Sequence, residues 1–116
     1  MNDINRIDEN NITIITFPIE DQLRDPDPLR EVIDQAIEEQ RFNILVDLEN
    51  VAYVSSSVLG LFITTVRELQ KQGGALKLLN PQPAVCNVLR LTRLDRIFEL
   101  YTDRETALDS FPQTNP

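Results

Sequence analysis

Three consecutive serines, Ser55, Ser56 and Ser57, lie in the segment ILVDLENVAYVSSSVLGL, which spans residues 44–61. The segment reads as a buried strand, a short connector, and then the first turns of a helix. Hydroxyls are thereby set at a helix N-terminus just past a strand. Such a position can cap the helix, bind an anion or accept a phosphoryl group. Capping alone is an adequate reason for a serine there, because one hydroxyl on a backbone N–H is worth ~1 kcal/mol. One cap accounts for one serine and leaves two.

Other reactive side chains are sparse. The chain contains no histidine, which removes His-based triads, general bases and metal sites. The single cysteine, Cys86, has no histidine to activate it and falls on the apolar side of a predicted helix, where a core thiol is expected. Gly73-Gly74 precedes a strand and lacks the lysine of a phosphate-binding loop. Carboxylate pairs occur at Asp25/Asp27, Glu38/Glu39 and Asp47/Glu49. Glu38 and Glu39 belong to a solvated helix face. Asp47 and Glu49 straddle the C-terminal end of a strand, where α/β proteins place their sites; both a structural role and contact with a partner fit them. No catalytic constellation, cofactor motif or metal-ligand set emerges, so an enzyme is not expected.

Composition narrows the classes further. A net charge of −8 argues against nucleic acid and against anionic membrane surfaces, both of which call for clustered Lys and Arg. The same charge suits solubility and steering toward a protein partner. One cysteine excludes an internal disulfide, and no apolar run reaches the ~20 residues of a membrane span. No signal peptide is visible at the N-terminus, so a cytoplasmic protein is expected. At 116 residues the expectation is one domain over residues 1–111, with 112–116 a disordered tail.

The elements that must position the serines follow from periodicity. Residues 4–7 suit a short edge strand, and ITIITF, residues 12–17, a strand of β-branched residues stopped by Pro18. Residues 19–27 look irregular, because Pro26 and Pro28 break regular structure. Asp27 reads as an N-cap with Pro28 at the first helical position, and Leu29, Val32, Ile33, Ala36 and Ile37 recur at helical spacing. Residues 43–48 read as a buried parallel strand. The helix that opens near Ser56 or Ser57 carries Leu59, Phe62, Ile63, Val66 and Leu69 as its buried stripe and stops at Gly73-Gly74. Residues 75–79 form a strand, Pro81 or Pro83 starts a third helix, residues 97–101 suit a short strand, and residues 103–110 a last helix capped by Asp103. The order β-β-α-β-α-β-α-β-α predicts an α/β fold with a mixed sheet covered by helices.

The central segment resembles the signature of the STAS family, in particular the bacterial anti-sigma factor antagonists. Their pattern runs Asp-Leu, a few residues, an aromatic or apolar pair, then Asp-Ser-Ser-Gly-Leu-Gly. Here it stands as Asp47-Leu48-Glu49-Asn50-Val51-Ala52-Tyr53-Val54-Ser55-Ser56-Ser57-Val58-Leu59-Gly60, with Ser55 at the Asp position and Val58 at the first Gly. Gln70-Lys71-Gln72-Gly73-Gly74 with the following strand, Asn80-Pro81 with its helix, and Leu94-Asp95-Arg96-Ile97-Phe98 followed by Glu105-Thr106-Ala107-Leu108 resemble later parts of the same family in order. The resemblance implies a STAS-like sheet of four or five strands, mixed, with helices packed mainly on one face.

It also implies a function. In anti-sigma factor antagonists a serine at this helix start is phosphorylated by an anti-sigma factor that is an ATP-dependent kinase of the GHKL type. The unphosphorylated form binds that kinase and frees a sigma factor; a phosphatase resets the switch. By position the phospho-acceptor is Ser56, with Ser55 and Ser57 as fallbacks. The implied partner-binding set is Asp47, Glu49, Tyr53, Ser55, Ser56, Ser57, Val58 and Leu59. A phosphate brings about −1.5 to −2 charge. Helix N–H groups and the helix dipole tolerate it, whereas a partner packed on the same spot would face a desolvated dianion. The competing reading is a STAS interaction or scaffold module that binds without being phosphorylated, for which the changes at Ser55 and Val58 would be the reason.

Overall fold

A computed structural model describes residues 4–19 and 21–112, the side chain of Asp21 excepted. Strand β1 (Asn5–Glu9) turns through Asn10, at φ 56°, into β2 (Ile12–Thr16). Then come β3 (Asp21–Leu23), α1 (Asp27–Glu38), β4 (Asn43–Asp47), β5 (Val51–Val54) and α2 (Ser56–Lys71). The chain continues through β6 (Ala75–Leu79), α3 (Pro83–Leu91), a 3-10 turn (Leu94–Arg96), β7 (Glu99–Tyr101) and α4 (Arg104–Asp109).

Five strands make one mixed sheet in the order β1-β2-β4-β6-β7, antiparallel only at β1–β2. Alternation along each strand gives it two apolar faces. Ile15, Ile44, Val46, Leu76 and Leu78 face the main core, where they meet Leu29 and Ile33 of α1, Phe62 and Leu69 of α2, and Leu89 of α3. Ile12, Ile14, Leu45 and Leu79 point the other way, under Ala107 of α4 and Phe111. Of the four or five strands expected, five form the mixed sheet, with helices mainly on one face and α4 on the opposite face.

Sequence periodicity missed the second sheet. Strands β3 and β5 pair in parallel, with an irregularity between Asp21 and Gln22. The stretch expected to be irregular thus contains a strand, and the expected connector before the serines is another. Three- and four-residue strands are too short to display a period, and their partners lie about thirty residues apart. The helix start at residue 27 also differs. Asp27 is the first helical residue, its N–H donates to the Asp25 carboxylate at 3.0 Å, and its own carboxylate takes Arg30 at 2.6 Å. Asp25, not Asp27, therefore supplies the polar group. Cys86 is half-buried rather than a core thiol, because Val85 and Leu89 occupy the inward row of α3. Ile63 is likewise only partly buried. Most of the expected tail, residues 113–116, lies outside the described residues; the Pro112 carbonyl accepts a hydrogen bond from Asn11 Nδ2 at 3.1 Å.

Lys77 points into the second face and is 5% exposed. Its ammonium donates to the carbonyl and hydroxyl oxygens of Ser110 at 3.0 and 2.9 Å, meets Glu99 at 3.5 Å, and sits 4.7 Å from the centre of the Phe111 ring. These contacts tie the residues after α4 onto the sheet.

Gly73, at φ 80°, ends α2, and Gly74 passes directly against the next loop. A Cβ on Gly74 would lie 1.9 Å from the Phe42 carbonyl oxygen, which also receives the Ala75 N–H that leads into β6. Gly74→Ala is therefore expected to destabilise the fold by about 1–3 kcal/mol or more, as overpacking against rigid backbone does. Gly73→Ala costs roughly what an Ala in the left-handed region costs, with no collision. Thermal unfolding of the two variants side by side tests the contrast.

An ion network fastens β1 to the end of α1. Arg6 bridges Asp8 and Glu39, and Arg41 reaches both Asp8 and Thr13. Hydrogen bonding from Arg6 holds the Asp8 carboxyl below its ordinary value. Such a group stabilises the fold above its unfolded-state pKa, and that contribution vanishes as pH falls through its lower folded-state pKa. Asp8→Asn should thus be less stable than wild type at neutral pH. The gap should close as acid titrates Asp8, a trend that denaturant titrations across the acid range would follow.

Candidate functional site

The start of α2 is built by a strand ending and a cap. The Ser55 N–H donates to the Leu23 carbonyl at 2.8 Å, which extends the β3–β5 ladder by one rung. At that point the chain turns, and Ser55 becomes the N-cap of α2. Its Oγ accepts the Val58 N–H at 3.2 Å and donates to the Arg24 carbonyl at 2.8 Å. The hydroxyl does both with one atom, whereas an ionised Asp accepts and cannot donate. The departure at Ser55 thus has a structural reason, as it locks the helix start to the loop after β3.

Val58 also has one. Its side chain has 0% exposure and joins the main core, so the bulk that replaces glycine fills space inside. It was expected in the partner-binding set; a side chain with no surface contacts no partner, and that part of the expectation is corrected. Leu59 is 7% exposed and reaches the surface only as the floor of a groove.

Ser56 and Ser57 stand on the first turn of α2, exposed, and neither hydroxyl bonds to another described residue. Their backbone N–H groups are free in the same sense, since the cap takes the N–H groups of Val58 and Leu59. The first turn carries no acidic side chain. The helix start is therefore an accessible pair of hydroxyls in a locally positive field. Tyr53, 45% exposed, lies beside it with the Arg24 guanidinium 5.0 Å from its ring centre. Arg24 was not visible as a neighbour from sequence, because the β3–β5 pairing that delivers it was not.

The two acidic residues of the expected set lie at the same end of the sheet and have structural duties. Asp47 accepts the Glu49 N–H at 3.0 Å, closing the turn after β4. Glu49 is exposed, and its carbonyl accepts Gln82 Nε2 at 2.8 Å, fixing the entrance to α3. Between β5, α2 and α3 runs an apolar groove of about 70 Å³ lined by Tyr53, Leu59, Ala84 and Val88 among others. Tyr53 and Leu59, which line this groove, flank the three serines in the chain. Among the described residues no helix is long and apolar enough to cross a membrane.

Comparison with known proteins agrees with this architecture. Residues 10–107 match the STAS domain family profile. The anti-sigma-B factor antagonist of Bacillus subtilis is 33% identical over 67 residues, covering 58% of this chain and 62% of that protein. The structure of TM1081 from Thermotoga maritima superposes with a TM-score of 0.83 at 23% identity, over 91% of this chain and 92% of that one. The anti-sigma factor antagonist SpoIIAA in its unphosphorylated form gives 0.78 at 24% identity, over 91% and 93%. The two structures share the fold, and the profile match covers most of the sequence: the chain belongs to the STAS domain family, among relatives named anti-sigma factor antagonists.

Proposed function

We propose that the chain is an anti-sigma factor antagonist that binds a GHKL-type kinase acting as an anti-sigma factor, and that phosphorylation of Ser56 switches this binding off. The observation that carries the proposal is the division of labour among the serines: Ser55 is spent on the cap, while Ser56 stands exposed with an unbonded hydroxyl. A kinase needs a hydroxyl that its phosphate donor can approach without first breaking a cap. Ser56 meets that need, Ser57 is the remaining fallback, and Ser55 is the least suited. A phosphatase would restore the hydroxyl. SpoIIAA, whose fold this chain shares, has also been solved in a phosphorylated form.

The direct test is intact-mass analysis after incubation with the source organism's purified GHKL-type kinases, Mg²⁺ and ATP. One phosphoryl group mapped to Ser56 supports the proposal. Binding to a kinase with no covalent uptake favours the scaffold reading, whose basis here is the Ser and Val at positions 55 and 58. Neither binding nor uptake with any of those kinases overturns both.

A further inference from the structure

Helix α3 carries two apolar rows where its packing needs one. Val85 and Leu89 point into the core. Ala84, Val88 and Leu91 follow at i, i+4 and i+7, a spacing that also aligns side chains along a helix. This second row faces out: Val88 is 37% exposed and Leu91 85%. It starts in the groove beside Tyr53, which Ala84 and Val88 line, and continues along α3 to Leu91 outside it. Next to its far end stand Arg90, Arg93 and Arg96, all exposed. None of them meets a carboxylate among the described residues, whereas Arg6, Arg30, Arg41, Lys77 and Arg104 each do. Residues 90–96 hold these three arginines and one exposed carboxylate, Asp95, so the stretch carries a net charge of +2 in a chain of net charge −8.

We propose that the outer row of α3, Ala84–Val88–Leu91 with Arg90 and Arg93, is a second half of the partner interface. Its occupant is the kinase-type anti-sigma factor, through a face that presents apolar side chains flanked by Asp or Glu. Charge complementarity sets the partner's sign. Tyr53 lines the groove together with Ala84 and Val88 and stands three residues before Ser56 in the chain. An extended anionic polymer or membrane would meet the −8 of the whole molecule, whereas a protein face of limited extent meets only the basic end. The inference rests on the reading that the chain binds such a kinase.

The test is calorimetric titration of each purified GHKL-type kinase of the source organism with wild type, Leu91→Ser and the Arg90→Glu/Arg93→Glu double variant. These side chains are exposed, so thermal unfolding should match wild type in both variants. Support is a loss of affinity of about tenfold or more in each variant, with the charge variant's loss shrinking as salt rises. If a kinase binds wild type and both variants equally, this inference falls and the functional reading stands. If no kinase binds wild type, the reading fails and takes this inference with it. Two further assays use the chain alone: sedimentation velocity, and cosedimentation with phosphatidylglycerol vesicles. Self-association or vesicle binding that Leu91→Ser abolishes, without any effect on kinase affinity, assigns the row to another occupant and overturns the inference.

Discussion

Phe62→Ala is expected to lower the stability of the fold by about 3–5 kcal/mol, the cost of emptying a large aromatic site in a core that cannot fully collapse. Phe62 has no exposed surface and meets Phe98 edge to face, with ring centres 6.0 Å apart. The loss should therefore be felt at two places: along α2, which the ring anchors to the sheet, and at the chain leading into β7, which Phe98 begins. Such a loss is a large share of the 5–15 kcal/mol that holds a typical domain together. In a urea titration the midpoint should drop while the slope stays constant. A midpoint within error of wild type would show that this face of α2 does not carry the core.

Ser56→Ala should abolish phosphoryl uptake and leave kinase binding close to wild type, because a methyl group adds no charge at the contact. Ser56→Asp should weaken binding, since a carboxylate supplies part of the phosphate's charge where a partner would desolvate it. Neither change should disturb the fold: the cap belongs to Ser55, and a carboxylate in the first turn of α2 is favoured by the dipole. Ser55→Ala gives the opposite pattern. It removes the bonds to Val58 N–H and the Arg24 carbonyl, costs about 0.5–2 kcal/mol of stability, and leaves the acceptor hydroxyl in place. Uptake that persists in Ser56→Ala and disappears in Ser57→Ala would move the acceptor by one residue. Intact mass for uptake and calorimetry for binding separate these outcomes.

The parts of the fold that were legible in sequence are those whose signal is local. Ile12–Thr16 and Asn43–Asp47 announce themselves as runs of β-branched and aliphatic residues, and α2 by apolar positions three and four apart. The parts that were not legible depend on pairing at a distance. Strands β3 and β5 are defined by each other, not by a period within either. The dual use of the Ser55 hydroxyl needs the Arg24 carbonyl, thirty-one residues earlier in the chain. The burial of Lys77 depends on Ser110 and Phe111, which no pattern within ALKLL foretells. For the candidate site, the motif located the serines, and only the packing showed which hydroxyl is spoken for and that Val58 turns inward.

In the main sheet each strand lies beside the one that precedes it in that sheet along the chain, from β1 at one edge to β7 at the other. A sheet laid down in this order can grow at its free edge while a ribosome is still making the protein. Synthesis delivers the hairpin first, then β4 and β6 in turn, each followed by a helix that covers the inner face. Ile14 and Leu45, however, stay open on the outer face until Ala107 and Phe111 arrive. Lys77 waits there as well, its ammonium without the Ser110 oxygens until those residues are synthesised. A nascent chain halted before Phe111 would therefore carry a nearly finished sheet with an apolar face uncovered, the state in which it is most exposed to chaperones and to aggregation.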